Sequence, residues 1–295
     1  MKWTISAYST ALFATWYFVE ELGVLFDAGD GLTSALLQKS RKINHVFISH
    51  ADRDHLTGLL QLNQLNARPG FPIIYYPRDS RSFPAMAEFL QRFDPHTSGI
   101  QWKPVAPGDE IWLNEHLVVV PVRNEHVDAP PDVIRSLSYQ LVEVKQKIKP
   151  ELIALPPQEI RRIILEQGKE NTTMEVRRTL LGYSGDTPVD DPERWNHTDI
   201  LIHEATFISS EGDIPHKGYK NKHSRLEEVM EMVSKLDIKQ LILGHFSTRY
   251  DQEQIDGSIR SLCRKYGIRI PVYRVLPGAT MWDILNSAPV NASLL

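Results

Sequence analysis

Short apolar runs rich in β-branched and aromatic residues recur along the chain, and several of them stop at histidine or aspartate. Val46-Phe47-Ile48-Ser49 runs into His50, and Leu117 to Val122 leads to His126. Leu180 to Ser184 precedes Gly185-Asp186-Thr187, Ile200-Leu201-Ile202 precedes His203-Glu204, and Gln240 to Leu243 precedes Gly244-His245. Runs of this length and composition predict buried strands. Strand ends that carry polar groups over a packed sheet are a common way to build an α/β active site. Helices are predicted between them, over Leu56 to Leu65 and over Pro84 to Phe93. Ser224 with Glu227 reads as a capping box that opens a helix running through Leu236. Ile255, Ile259, Leu262 and Tyr266 repeat at helical spacing and stop at Gly267. Ala11 to Val19 is also apolar, but it is too short to span a bilayer, follows a single basic residue and is succeeded by Glu20-Glu21. It reads as a core strand rather than a signal peptide or membrane anchor.

This alternation of strands and helices has no Gly/Ser-rich linker, solenoid repeat or low-complexity tract, so one α/β domain is expected over residues 1–295. The least core-like region is Glu143 to Glu170, where six basic side chains alternate with five acidic ones. It is expected to be a solvated, arm-like excursion with one short helix. The net charge of −4 carries no nucleic-acid signature, so contact with RNA would need a local patch. The single cysteine, Cys263, cannot form an intramolecular disulfide, which suits a reducing cytoplasm.

Candidate chemistry is densest in His50-Ala51-Asp52-Arg53-Asp54-His55, with four potential metal ligands in six residues directly after a strand. Imidazole nitrogen and carboxylate oxygen are donors that zinc, iron and manganese accept. A polar surface loop would account for one histidine and one aspartate; two of each point to a metal site.

With its other strings, this chain resembles the metallo-β-lactamase superfamily, and within it the ribonuclease Z branch. The branch's leading motif is His-x-His-x-Asp-His; His50, Asp54 and His55 match it, and Asp52 stands in place of the second histidine. Phe26-Asp27-Ala28-Gly29-Asp30-Gly31 looks like the Asp-x-Gly-x-Gly strand end that precedes that motif. Asn124-Glu125-His126, Tyr183-Ser184-Gly185-Asp186-Thr187, His203-Glu204-Ala205-Thr206-Phe207 and Gly244-His245-Phe246-Ser247-Thr248-Arg249-Tyr250 follow in family order. The resemblance runs from Ser9 to about Tyr250. It implies a sandwich of two mixed β-sheets flanked by helices in αββα order, with two divalent metals where strand ends converge. His50, Asp52 and His126 would hold one metal, Asp54, His55 and His245 the other, and Asp186 would bridge them. Asp54 would orient and deprotonate an attacking water activated by the metals. Glu204 and His223 would protonate the departing oxygen, although His223 also reads as a plain surface residue before the Ser224 cap.

Asp27 reads either as the acceptor for a ligand imidazole or as a turn former in its Gly-rich segment. Arg249 either braces the His245 loop or reaches a phosphate. His203 reads equally as a buried, hydrogen-bonded histidine and as a ligand. His45, His96, His116, His197 and His216 have no partner pattern and default to surface or packing positions. Zinc is the expected metal; the harder oxygen ligand supplied by Asp52 also admits manganese or iron.

The expected function is therefore a metal-dependent phosphodiesterase of ribonuclease Z type, with precursor tRNA as a candidate substrate, acting as a cytoplasmic homodimer without membrane attachment. The alternative is a hydrolase of a small ester, lactone or cyclic phosphodiester, favoured by Asp52 and by the weakly charged arm. A non-catalytic binding protein would have no use for Asp54, Glu204 and His223.

Overall fold

The computed structural model of the chain describes residues 3–97, 99–208 and 222–295, so His216 lies outside the described residues. Two mixed sheets face each other. The first holds β1 (Ile5–Thr10), β2 (Ala14–Val19), β3 (Val24–Phe26), β4 (His45–Phe47), β5 (Ile73–Pro77) and β6 (Gln101–Val105), side by side in chain order. The second holds β7 (Ile111–Asn114), β8 (Leu117–Arg123), β9 (Leu137–Ile148), β10 (Thr173–Tyr183), β11 (Thr198–Glu204), β12 (Ile238–Gly244) and β13 (Val272–Arg274), again in chain order. In the first sheet β1 to β3 pair antiparallel and β3 to β6 parallel. In the second, β7 to β10 pair antiparallel and β10 to β13 parallel.

The helices are α1 (Leu32–Leu36), α2 (Arg53–Leu56), α3 (Leu59–Asn66), α4 (Ser82–Phe93), α5 (Pro150–Ile153), α6 (Pro157–Gln167), α7 (Lys169–Thr172), α8 (Leu226–Val233) and α9 (Gln252–Tyr266). Successive residues of a strand point to opposite faces, and this places the core. Phe26, Phe47 and Tyr75 are in register and turn inward against Leu137, Tyr139, Leu181 and Tyr183 of the other sheet. Their neighbours Leu25, Val46 and Ile74 turn outward and pack on Leu32, Leu36, Leu59, Leu62 and Phe83 from α1, α3 and α4. Leu201, Leu241 and Leu243 do the same on the far side, under Val229 and Val233 of α8 and Ile255 and Ile259 of α9. The layers are helix, sheet, sheet, helix, as expected. Strands buried on both faces read as continuous apolar runs, which is why those runs stand out in the sequence.

Three local expectations need correction. The helix expected over Leu56 to Leu65 is broken at Gly58 into α2 and α3, because Gly58 donates its N–H to the Ala28 carbonyl at 2.8 Å. A Cβ there would lie 2.2 Å from the Gly29 carbonyl oxygen, so only glycine allows this approach. The capping box of α8 begins one residue later than expected. Glu228 accepts the Arg225 N–H at 2.9 Å, while the Ser224 hydroxyl donates to the Thr187 carbonyl at 2.5 Å. The excursion at Glu143 to Glu170 is also more ordered than expected. Glu143 to Ile148 continue β9 and pair with Thr173 to Arg178 of β10, and α5, α6 and α7 fill the connection. The cause is again period two: Val142 and Val144 alternate with Glu143 and Lys145, which puts both valines against Val118.

Candidate metal centre

Strand direction delivers the chemistry to one edge. β3 and β4 run parallel, and their ends lead to Asp27 and His50. β10, β11 and β12 run parallel and lead to Asp186, Glu204 and His245. β8 is antiparallel to β9, and β9 to β10, so β8 points the same way as β10 and leads to His126. Two hydrogen bonds lock the sheets together at this edge: Tyr139 OH donates to the Ile48 carbonyl at 2.7 Å, and Leu137 N–H donates to the Ser49 carbonyl at 2.8 Å.

The donor atoms of His50, Asp52 and His126 lie within 4.8 Å of one another, and so do those of Asp54, His55 and His245. Asp186 Oδ2 lies among both groups, 3.7 Å from His50 Nε2, 3.2 Å from His55 Nε2 and 3.3 Å from His245 Nε2. Asp52 Oδ2 stands 3.5 Å from His50 Nε2 and 3.7 Å from His126 Nε2, with its side chain 48% exposed; the other groups are largely enclosed.

The imidazoles test whether these residues suit a metal. His55 Nδ1 lies 2.7 Å from the Asp27 carboxylate, which can only accept. His126 Nδ1 lies 2.7 Å from the Lys222 carbonyl, also an acceptor. Ser49 Oγ gives its proton to Asp27, so it must accept from His50 Nδ1 at 2.9 Å. Thr206 Oγ1 gives its proton to Glu204 at 2.5 Å and must accept from His245 Nδ1 at 2.9 Å. Each Nδ1 therefore carries the hydrogen, and each Nε2 presents a lone pair toward the shared carboxylates. The Nε2 atoms of His50, His55 and His126 are buried without a hydrogen-bond partner. Orphaned lone pairs with Nδ1–H held by protein acceptors are the arrangement that metal-binding histidines require. Buried His/Asp clusters of this kind are consistent with a binuclear metal site.

Protonation follows the same packing. Burial, then the neighbouring imidazoles, push His50 below its ordinary range. Burial works against a charged His55, but Asp186, Asp27 and Asp54 outweigh it and raise its pKa well above normal, so a proton takes the Nε2 lone pair wherever no cation does. Burial likewise opposes ionisation of Asp54 and Asp186, and their histidine neighbours still hold both far below the usual carboxylate range. The imidazoles of His126 and His50 beside it do the same for Asp52. Three ionised carboxylates in one pocket call for positive charge, which divalent cations carry.

Beside this cluster, His223 Nδ1 lies 3.1 Å from Glu204 Oε1 and 3.9 Å from Asp186 Oδ2. Glu204 is buried and accepts the Thr187 N–H at 2.8 Å. Burial opposes the imidazolium, but Glu204 prevails and raises His223 to about 9. Lys222 and His126 tie this segment down, with Lys222 N–H donating to the His126 carbonyl at 3.2 Å.

Asp27 lies against the cluster. It sits at φ +54° and is fully buried, accepting from His55, from Ser49 N–H and Oγ at 2.7 Å each, and from Tyr183 OH. Arg249 donates to Ser247 Oγ at 3.1 Å and lies over the Phe207 ring, bracing the His245 loop. His203 is buried with Nδ1 on the Glu204 carbonyl and takes part in none of the clusters among the described residues. His45 packs among aromatic rings, and His197 pairs with Asp237 at 2.9 Å. Sequence reasoning assigned no part to Ser49, Thr206, Tyr183 or the Leu12 N–H that donates to Asp54 Oδ2 at 3.1 Å. Ser49, Tyr183 and Thr206 adjoin or lie within the motifs that carry His50, Asp186 and Glu204; nothing in the sequence marks the Leu12 amide.

Residues 23–148 match the family described as Beta-lactamase superfamily domain. The chain is 25% identical over 283 residues to the chloroplastic tRNase Z TRZ2 of Arabidopsis thaliana, covering 91% of this chain and 74% of that protein. It is 29% identical over 270 residues to the Ribonuclease Z of Methanocaldococcus jannaschii, covering 82% of each. Among solved structures, the metallo-beta-lactamase fold protein YhfI from Bacillus subtilis matches with a TM-score of 0.61 at 14% identity, covering 95% of this chain and all of that one. The chain has the metallo-β-lactamase fold, carries the Beta-lactamase superfamily domain match over residues 23–148, and is a metal-dependent hydrolase with ribonuclease Z homologues over most of its length.

Proposed function

We propose that the protein is a phosphodiesterase of ribonuclease Z type, with precursor tRNA as the first substrate to test. The observation that carries this reading is the buried Glu204–His223 pair at 3.1 Å, directly beside Asp186. An alkoxide leaving phosphorus needs a proton, and an imidazole kept charged by a carboxylate is suited to give one. The ribonuclease Z relatives, matched over most of the chain, support the same substrate class.

His50, Asp52 and His126 would hold one divalent ion, Asp54, His55 and His245 a second, and Asp186 both. When bound, such ions supply Lewis acidity toward a phosphoryl oxygen and make water acidic enough to attack at neutral pH. Asp54, fixed by the Leu12 N–H, orients the attacking water and takes its proton; His223 protonates the leaving oxygen and Glu204 holds the imidazole in place. Zinc is the proposed metal, with manganese or iron admitted by Asp52. We further propose one domain over the whole chain, working as a cytoplasmic homodimer. No described helix is long and apolar enough to cross a membrane.

The test is hydrolysis of bis(p-nitrophenyl) phosphate and of a precursor tRNA with a 3′ trailer, by protein loaded with zinc, manganese or iron. Turnover of both supports the reading, and turnover of the small diester alone rejects tRNA. Unchanged turnover in Asp186→Ala rejects the two-metal mechanism. The second reading, a small-molecule ester, lactone or cyclic phosphodiester hydrolase, is favoured by Asp52 and by the near-balanced charge of residues 143–170.

A further inference from the structure

A cleft of about 370 Å³ opens beside the metal centre and shares Asp52 with it. Its remaining polar lining comes from two parts of the chain: Asp79, Ser80, Arg81 and Ser82 at the start of α4, and Arg135 just before β9. Arg81 and Arg135 are exposed. Ser80 is only 8% exposed, and its hydroxyl makes no hydrogen bond among the described residues. Arg81 is the N-cap of the twelve-residue α4 and forms no side-chain cap. The amides of Ser82 and Phe83 lie in the first turn, where no intrahelical acceptor exists, and Pro84 has no N–H to offer. The acidic groups of the cleft are engaged: Asp79 accepts the Ile134 N–H at 2.8 Å and pairs with Arg78 at 3.4 Å, and Asp52 is turned to His50 and His126.

Two guanidinium groups, the hydroxyl of the largely buried Ser80 and an uncapped helix N-terminus thus line one cavity. All are donors or positive, and tetrahedral phosphate is the group such a set accommodates. We propose that this cleft binds a second phosphate of the substrate, adjacent to the phosphodiester that is cut. The position follows from Asp52, which belongs both to the cleft and to the metal centre. The volume lies at the small end of ligand pockets and suits one nucleotide-sized group rather than a length of duplex. The proposal rests on the phosphodiesterase reading for what occupies the metal centre and adds what the substrate must carry next to it.

The test is equilibrium binding to the metal-loaded protein of thymidine dinucleotides whose linkage is a phosphorothioate, which slows cleavage. One probe carries no further phosphate, two carry a terminal phosphate at the 5′ or 3′ end, and a trinucleotide carries a second internal linkage. At least one probe with a second phosphate is expected to bind about tenfold or more tightly than the plain dinucleotide. A preference for a terminal phosphate points to a small-molecule substrate; a preference for the trinucleotide points to a longer chain. In the double variant Arg81→Gln/Arg135→Gln the preference is expected to vanish, and in Arg81→Lys to persist in part. Both arginines are exposed, so the variants are expected to fold. Equal binding of all probes by the native protein, or a preference that survives the double variant, overturns the proposal. If the protein hydrolyses no phosphodiester yet keeps the preference, the proposed function falls and the phosphate subsite stands.

Discussion

Thr206 Oγ1 stands 2.9 Å from Nδ1 of His245, having already given its proton to Glu204. The same hydroxyl lies 3.3 Å from His223 Nδ1, so one side chain touches a metal-ligand candidate and the proton-donor pair. Removing the acceptor frees His245 to adopt the other tautomer. Thr206→Val is therefore expected to weaken metal affinity by about 10–100-fold, and Thr206→Ser to restore most of it. Competition with a chromophoric chelator reads this directly.

A proton donor matters only when the leaving group needs a proton. In His223→Gln, hydrolysis of a dinucleotide with an alkoxide leaving group is expected to slow by about 10²–10⁴-fold. Hydrolysis of bis(p-nitrophenyl) phosphate, whose leaving group is stable as an anion, is expected to slow far less. Equal losses on both substrates would remove His223 from this role.

Asp52 is the most exposed member of the cluster and the one departure from the histidine pattern. Asp52→His replaces a hard anionic oxygen with a neutral nitrogen. The variant is expected to hold zinc and to lose the manganese and iron that Asp52 admits, read as metal content after growth in a mixed-metal medium.

Gly185 precedes Asp186 at φ +58°, and a Cβ there would fall 2.6 Å from Ser49 Cβ. Ser49 is the residue that orients His50 and caps Asp27. Gly185→Ala is expected to cost roughly 1–3 kcal/mol of stability and to lower metal content as Ser49 is displaced. Urea unfolding and metal analysis check the two effects separately.

His45 lies outside the site. Burial, followed by the charge of Lys103, pushes it down to about 4, with Tyr75 OH 3.4 Å from its Nδ1. The unfolded chain, with an imidazole near 6.5, binds the proton first as pH falls. Stability contributed by the neutral ring is thus complete above about pH 6.5 and is lost progressively down to about pH 4. Between pH 7 and 5 the native protein is expected to lose about 1 kcal/mol more than His45→Gln, a figure reduced for the ring's partial exposure. Urea midpoints at the two pH values measure it.

Hydrophobic periodicity marks the strands and the positions at which chemistry emerges, and the family resemblance supplies the layered order. Apolar runs that end in His50, His126, Asp186, Glu204 and His245 are legible because strands buried on both faces tolerate no polar residue until they stop. Period two also predicts which face of β9 the valines take, although the charges of Glu143 and Lys145 hide that strand from a reading by composition. What each side chain can do depends on neighbours that the folded chain brings to it. The hydrogen on His126 Nδ1 is fixed by the carbonyl of Lys222, 96 residues away, and that on His245 by Thr206. Gly58 breaks a helical run because the Gly29 backbone passes beneath it, and Arg81 meets Arg135 only because α4 and the start of β9 border the same cleft. The physical reason is one of range: hydrophobic periodicity is written locally, whereas lone-pair direction, burial of charge and the shape of a cavity depend on groups brought together by the folded chain.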